Sequence, residues 1–149
     1  MSQRQRAGCP GHFTQMNTDN YLDLSVQQRG ELNDISFKII GAAYQVSNTL
    51  GAGFLEKVYE NALCWEVRKH SLKVAQQATV SVTYDGRVVG DYVPDLLVED
   101  RVVVEIKATE AVDRVYRAQC INYLRATGLR LCLLLNFGRP RLQVARFAL

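Results

Sequence analysis

The segment Arg101-Val-Val-Val-Glu-Ile-Lys107 sets an acid and a base into a run that is otherwise apolar. Side chains alternate faces along a strand, so Val102, Val104 and Ile106 share one face while Glu105 and Lys107 share the other. Burying either charge without a partner is costly. The segment can therefore fold only where its polar face meets an opposite charge, a metal ion or a cleft.

The preceding residues supply such a partner. Glu99-Asp100 makes a tight turn that folds the strand before it alongside and brings Asp95 next to Glu105. Pro94 donates no ladder hydrogen bond, which predicts an edge or bulge there and a re-aimed Asp95. Two carboxylates converging from adjacent strands form a hard oxygen site suited to Mg²⁺ or Mn²⁺. Lys107 beside them is placed to orient a water or to stabilise charge developing on a phosphate. A buried ion-pair network of the same groups is the structural alternative, and it requires Glu105 to hold Lys107.

Around this segment the pattern predicts one domain over 31–149 after a polar, flexible leader over 1–30, with Met16 in the position of a natural start. Helical spacing runs from Leu32 to Leu50 and ends at Gly51 and Gly53. A second helix spans about Leu55 to Lys69. Val74 to Tyr84 and Val88 to Val98 read as strands joined by the hairpin signal Asp85-Gly86, and Arg101 to Lys107 completes an antiparallel meander. A helix from Val112 to Thr127 stops at Gly128, and the strands Arg130 to Phe137 and Leu142 to Phe147 follow. The order α-α-β-β-β-α-β-β predicts an α/β fold, a mixed sheet with helices packed on it.

Composition narrows the setting. The 149 residues are 48% hydrophobic and 22% charged, as in ordinary globular domains. No apolar run nears the ~18 residues of a membrane helix, and no apolar segment follows Arg4 and Arg6 as a secretory signal requires. These features predict a cytoplasmic protein without a membrane partner. Cys9, Cys64, Cys120 and Cys132 lack the spacing of a zinc clamp or an iron–sulfur group and read as free thiols. His12 and His70 have no ligand spacing. The net charge of +3 includes Arg114, Arg117, Arg125, Arg130, Arg139, Arg141 and Arg146, a basic C-terminal third compatible with phosphate contacts.

Pro94-Asp95 followed by Glu105-Ile106-Lys107 resembles the signature of PD-(D/E)XK nucleases. Upstream, Gly53-Phe-Leu-Glu56-Lys-Val-Tyr59 resembles the motif of the GxxExxY family, a branch of that superfamily, and the likeness runs from Ile39 to the C-terminus. It implies a restriction-endonuclease-like core and metal-dependent cleavage of DNA or RNA. Asp95, Glu105 and the Ile106 carbonyl would then bind the metal, with Glu56 completing the shell and Lys107 as the catalytic lysine. Helical-wheel spacing puts Glu56 on the apolar face with Leu63 and Val67, whereas Glu60 reads as nearer the polar edge and Glu66 as structural.

Gln119 and Tyr123, four apart on one helical face, resemble an additional superfamily motif that positions the substrate, and Tyr59 would join them. Small nucleases often dimerise, so a homodimer is a further expectation. The family's first helix commonly carries a histidine before the glycine turn, where this chain has Ser47. A nuclease fold that binds nucleic acid or a partner without turnover is the functional alternative.

Overall fold

The computed structural model describes residues 24–149; Cys9, His12 and Met16 lie outside the described residues. Of the leader expected over 1–30, the described end is already helical, since α1 (Val26–Leu50) begins well before Leu32. Its start is a capping box: Ser25 Oγ accepts from the Gln28 N–H at 3.1 Å, and the Ser25 N–H donates to Gln28 Oε1 at 3.0 Å. The first turns face solvent and so carry polar residues, which hid them from a hydrophobic pattern. Gly51, at φ 70°, closes α1, and α2 (Glu56–Arg68) packs back along it.

The expected three-strand meander is interrupted. Each of its first two strands is broken in the middle, giving β1 (Val74–Gln76), β2 (Val80–Tyr84), β3 (Arg87–Tyr92) and β4 (Leu96–Val98) ahead of β5 (Val102–Lys107). Gln77 adopts a left-handed φ of 53°, and its N–H donates to the Asp95 carbonyl at 3.1 Å as the last rung of the inner pair. On the facing strand, the residue beside Asp95, Pro94, has no N–H to continue the ladder. The outer halves leave as a separate two-stranded ribbon, β2–β3, and β2 lies against α3 (Arg114–Thr127).

The inner halves join a five-stranded sheet in the order β1-β4-β5-β6-β7, with β6 (Leu131–Asn136) and β7 (Gln143–Ala148) on the far side. β5 and β6 run parallel, so the chain between them crosses over through α3, which ends at left-handed Gly128. β6 is buried throughout and β5 everywhere except at Lys107, as central strands covered on both faces must be.

Helices cover both faces. Val102, Val104 and Ile106 pack with Leu131, Leu133 and Leu135 against α1 and α2. On the other face Val103, Cys132 and Leu134 meet Cys120, Tyr123 and Leu124 of α3. The result is a three-layered α/β/α domain.

Candidate active site

Register decides which side chains meet. β4 pairs with β5 as Leu96↔Val104, Leu97↔Val103 and Val98↔Val102, so Asp95 emerges at the ladder's end next to Glu105. The turn that sets this register has Glu99 and Asp100 both left-handed, at φ 54° and 53°, and closes with the Arg101 N–H donating to the Val98 carbonyl at 3.0 Å. The Lys73 N–H donates to the Glu99 carboxylate at 2.6 Å, pinning the turn to the start of β1.

At the ladder's end the two acids interlock with the backbone. Asp95 Oδ2 accepts from the Ile106 N–H at 2.7 Å, and the Asp95 N–H donates to Glu105 Oε1 at 3.3 Å. A strand residue's N–H and C=O point to the same side, so the Ile106 carbonyl faces the edge where Asp95 stands.

Glu105 is 3% exposed, and burial, followed by repulsion from Asp95, pushes its carboxyl up to about 8. Burial also raises Asp95, against the Ile106 hydrogen bond, and the fields of Glu60 and Glu56 add to the rise. The nearby Lys107 lowers both acids but does not offset these effects. No Lys107–carboxylate ion pair forms among the described residues, so the ion-pair network is not the arrangement found. The ammonium instead sits 4.5 Å from the centre of the Tyr116 ring.

The α2 acids exchange the places expected of them. Glu56 occupies the predicted wheel position but is the first residue of α2, beyond the stretch the sheet covers, and it is exposed. Glu60, read as polar-edged, is 4% exposed. Burial alone would raise its carboxyl, but hydrogen bonds from Lys57, Gln77 and Gln76 outweigh that and hold it below the usual range. Gln77 Nε2 donates to Glu60 at 3.1 Å and reaches Asp95 Oδ1 at 3.4 Å, tying helix acid to strand acid. Glu66 accepts from Lys69 at 2.9 Å, a structural contact as expected.

Tyr59, expected to position substrate, is fully buried. Its hydroxyl donates to the Gly51 carbonyl at 2.6 Å and accepts from the Phe54 N–H at 3.2 Å, and its ring stacks on Phe137 at 4.8 Å. A side chain enclosed in this way fastens the glycine turn and has no surface to offer a substrate. Ser47, at 6% exposure, lies on the core side of α1.

Gln119 and Tyr123 share one face of α3, and Tyr123 lies within the fields of Glu105 and Asp95. The Gln119 amide donates to the Tyr123 hydroxyl at 3.0 Å, and the Tyr92 ring meets Tyr123 edge-on at 4.8 Å. Burial first, and then the charge of Glu105, push the Tyr123 hydroxyl up to about 12. Beneath lie the buried free thiols of Cys120 and Cys132, with Cys132 raised by its hydrogen bond to Cys120 and by burial.

Three residues that fix the exit of β5 carried no local signal. Asn136, wholly buried, accepts from the Thr109 N–H at 3.0 Å and donates to the Thr109 carbonyl at 2.9 Å. A Cβ on Gly138 would lie 2.2 Å from the Thr109 nitrogen, so only glycine fits there. This clasp brings the β6–β7 loop, with exposed Arg139 and Arg141, to the same sheet end as Lys107.

Among the described residues no group of three or more His, Cys, Asp and Glu side chains is placed to hold a metal ion. Two carboxylates and one carbonyl nevertheless suit a small hard cation such as Mg²⁺, which takes one or two protein carboxylates and keeps several waters. Burial first, and then repulsion from Asp95, raise Glu105, and a cation between the two acids would relieve the second of these effects.

A family model described as the PD-(D/E)XK nuclease superfamily matches residues 33–147. No curated protein and no solved structure matches the chain. Among the described residues no helix is long and apolar enough to cross a membrane.

Proposed function

Because this chain belongs to the PD-(D/E)XK nuclease superfamily, we propose that it hydrolyses phosphodiester bonds of nucleic acid with the help of Mg²⁺ or Mn²⁺. Asp95, Glu105 and the Ile106 carbonyl are the ligands of this reading, with Glu56 at the exposed rim. The Gly53–Glu56–Tyr59 spacing supports assignment to the GxxExxY branch. The free thiols Cys64, Cys120 and Cys132 suit a cytoplasmic setting.

The observation that carries the reading is the register that sets Asp95 against Glu105 while Lys107 forms no ion pair among the described residues. A divalent cation bound there would supply Lewis acidity toward a phosphoryl oxygen and toward water. Lys107 keeps ammonium hydrogens available to orient a water or to meet charge on the phosphate. Gln77 steadies Asp95, and Gln119 with Tyr123 forms the wall a nucleotide would meet. Exposed Arg139 and Arg141 offer sequence-independent contacts to the phosphate backbone.

The test is a cleavage screen over DNA and RNA with Mg²⁺ and Mn²⁺. Cleavage is expected to require the ion, to stop on chelation, and to vanish in Asp95→Ala and Lys107→Ala proteins that still fold. Undiminished cleavage by Asp95→Ala would refute the assignment. A second reading, binding without turnover, draws on the backbone hydrogen bonds that both acids already accept. It expects no ion-dependent rise in melting temperature that Asp95→Ala removes.

A further inference from the structure

We infer that Tyr116 is a positioning residue for Lys107, an inference that rests on reading Lys107 as the catalytic lysine. Lys107 is the half-buried end of β5, and its stem is long and flexible. The ammonium is close enough for its field to act on both carboxylates. An unrestrained ammonium beside two acids would swing onto one of them. That would use up carboxylate oxygens needed for a cation and occupy ammonium hydrogens needed for water or phosphate.

The geometry points to a ring that prevents this. Tyr116 lies in the first turn of α3, its N–H donating to the Asp113 carbonyl at 3.2 Å. It heads the helical stripe that continues through Gln119, Cys120 and Tyr123, so its ring is aimed at the strand face that carries Glu105 and Lys107. The ammonium sits 4.5 Å from the ring centre, well inside cation–π range. The face of a ring attracts a cation without accepting it in the way a carboxylate oxygen does. Lys107 is thereby held in place while its N–H groups stay able to donate.

The contact belongs to the aromatic face and makes no demand on the hydroxyl. The decisive set is therefore Tyr116→Leu, Tyr116→Phe and Tyr116→Trp in the full chain, read by steady-state cleavage and by NMR of the Lys107 ε-methylene. The Lys107 signal is identified by its loss in Lys107→Ala. Tyr116→Leu is expected to lower kcat about tenfold with KM unchanged, the size of a modest cation–π contact. Phe and Trp are expected to restore kcat. The upfield ring-current shift should vanish in Leu and persist in Phe and Trp. Tyr116→Met, which keeps the bulk without the ring, substitutes where Leu impairs folding.

Full activity in the Leu protein overturns the inference. So does a Phe protein as slow as Leu, because the hydroxyl would then be the active part. A change confined to KM overturns it as well, since the ring would then be touching substrate. If the chain cleaves nothing yet the Lys107 signal moves as described, the nuclease reading fails and the ring contact stands. If an active chain shows an unmoved signal, the ring contact alone fails.

Discussion

Along β5, two sets of side chains from one strand meet opposite circumstances. Val102, Val104 and Ile106 look toward α1 and α2 and lie among apolar neighbours. Val103, Glu105 and Lys107 look toward α3, and there enclosure gives way by steps, from fully buried Val103 to Glu105 at 3% exposure and then half-buried Lys107. The first face stabilises the strand by burial, at about 25 cal/mol for each Å² of apolar area removed from water. On the second, Val103 adds to that burial but Glu105 opposes it, because its carboxyl is enclosed and faces Asp95. A strand with both faces like the second would not hold its place in the sheet, and one with both faces like the first would have no chemistry.

Substitutions on the two faces should therefore act in opposite directions. The largest expected effect is Ile106→Ala, which empties a site that is 1% exposed. It should cost about 2–5 kcal/mol of stability in denaturant unfolding while leaving cleavage per folded molecule near wild type. A loss of cleavage greater than the loss of folded protein would break the division between faces.

Next in size is Glu105→Gln. A raised carboxyl stays protonated in the folded chain while the unfolded chain releases its proton, so stability falls as pH rises from the usual carboxylate range to about 8. In metal-free buffer the contribution of Glu105 to the wild-type slope should reach at most about 1.4 kcal/mol per pH unit, with raised Asp95 adding to it at lower pH. Glu105→Gln should flatten the slope and be the more stable protein at pH 8, while cleaving nothing. A wild-type urea midpoint that does not vary with pH would contradict this.

The smallest expected effect is Tyr123→Phe, which removes the acceptor of the Gln119 amide. It should cost about 1 kcal/mol, measured by thermal unfolding. Cleavage should fall by more than that loss explains if the pair also meets the substrate.

What could be read in advance was local. The period-two alternation of β5 and the short turn at Glu99-Asp100 are properties of neighbouring residues, and they were enough to bring Asp95, Glu105 and Lys107 to one edge. The break in the hairpin was not legible, because glutamine is not a residue whose presence announces a left-handed backbone, and the strain at Gln77 is upheld by partners far along the chain. The helical wheel gave the face of α2 but not where its cover ends, which separates exposed Glu56 from buried Glu60. Tyr59 matched a motif, yet a motif does not say whether a ring faces the cleft or the core. Asn136 and Tyr116 act on segments that only the folded chain brings near, Asn136 on Thr109 across 27 residues.

The turn at Glu99 and Asp100 has a consequence for how sequences like this one can diverge. Other residues that tolerate a left-handed backbone can close the same turn, at the loss of the Glu99 and Asp100 contacts to Lys73. Gain or loss of one residue is another matter: a slip of one position in pairing sends a strand's side chains to the opposite surface. Asp95 would then be carried away from Glu105 while every residue of the motif stayed present. A variant that keeps this site must therefore keep the length of that connection as well as the acids themselves.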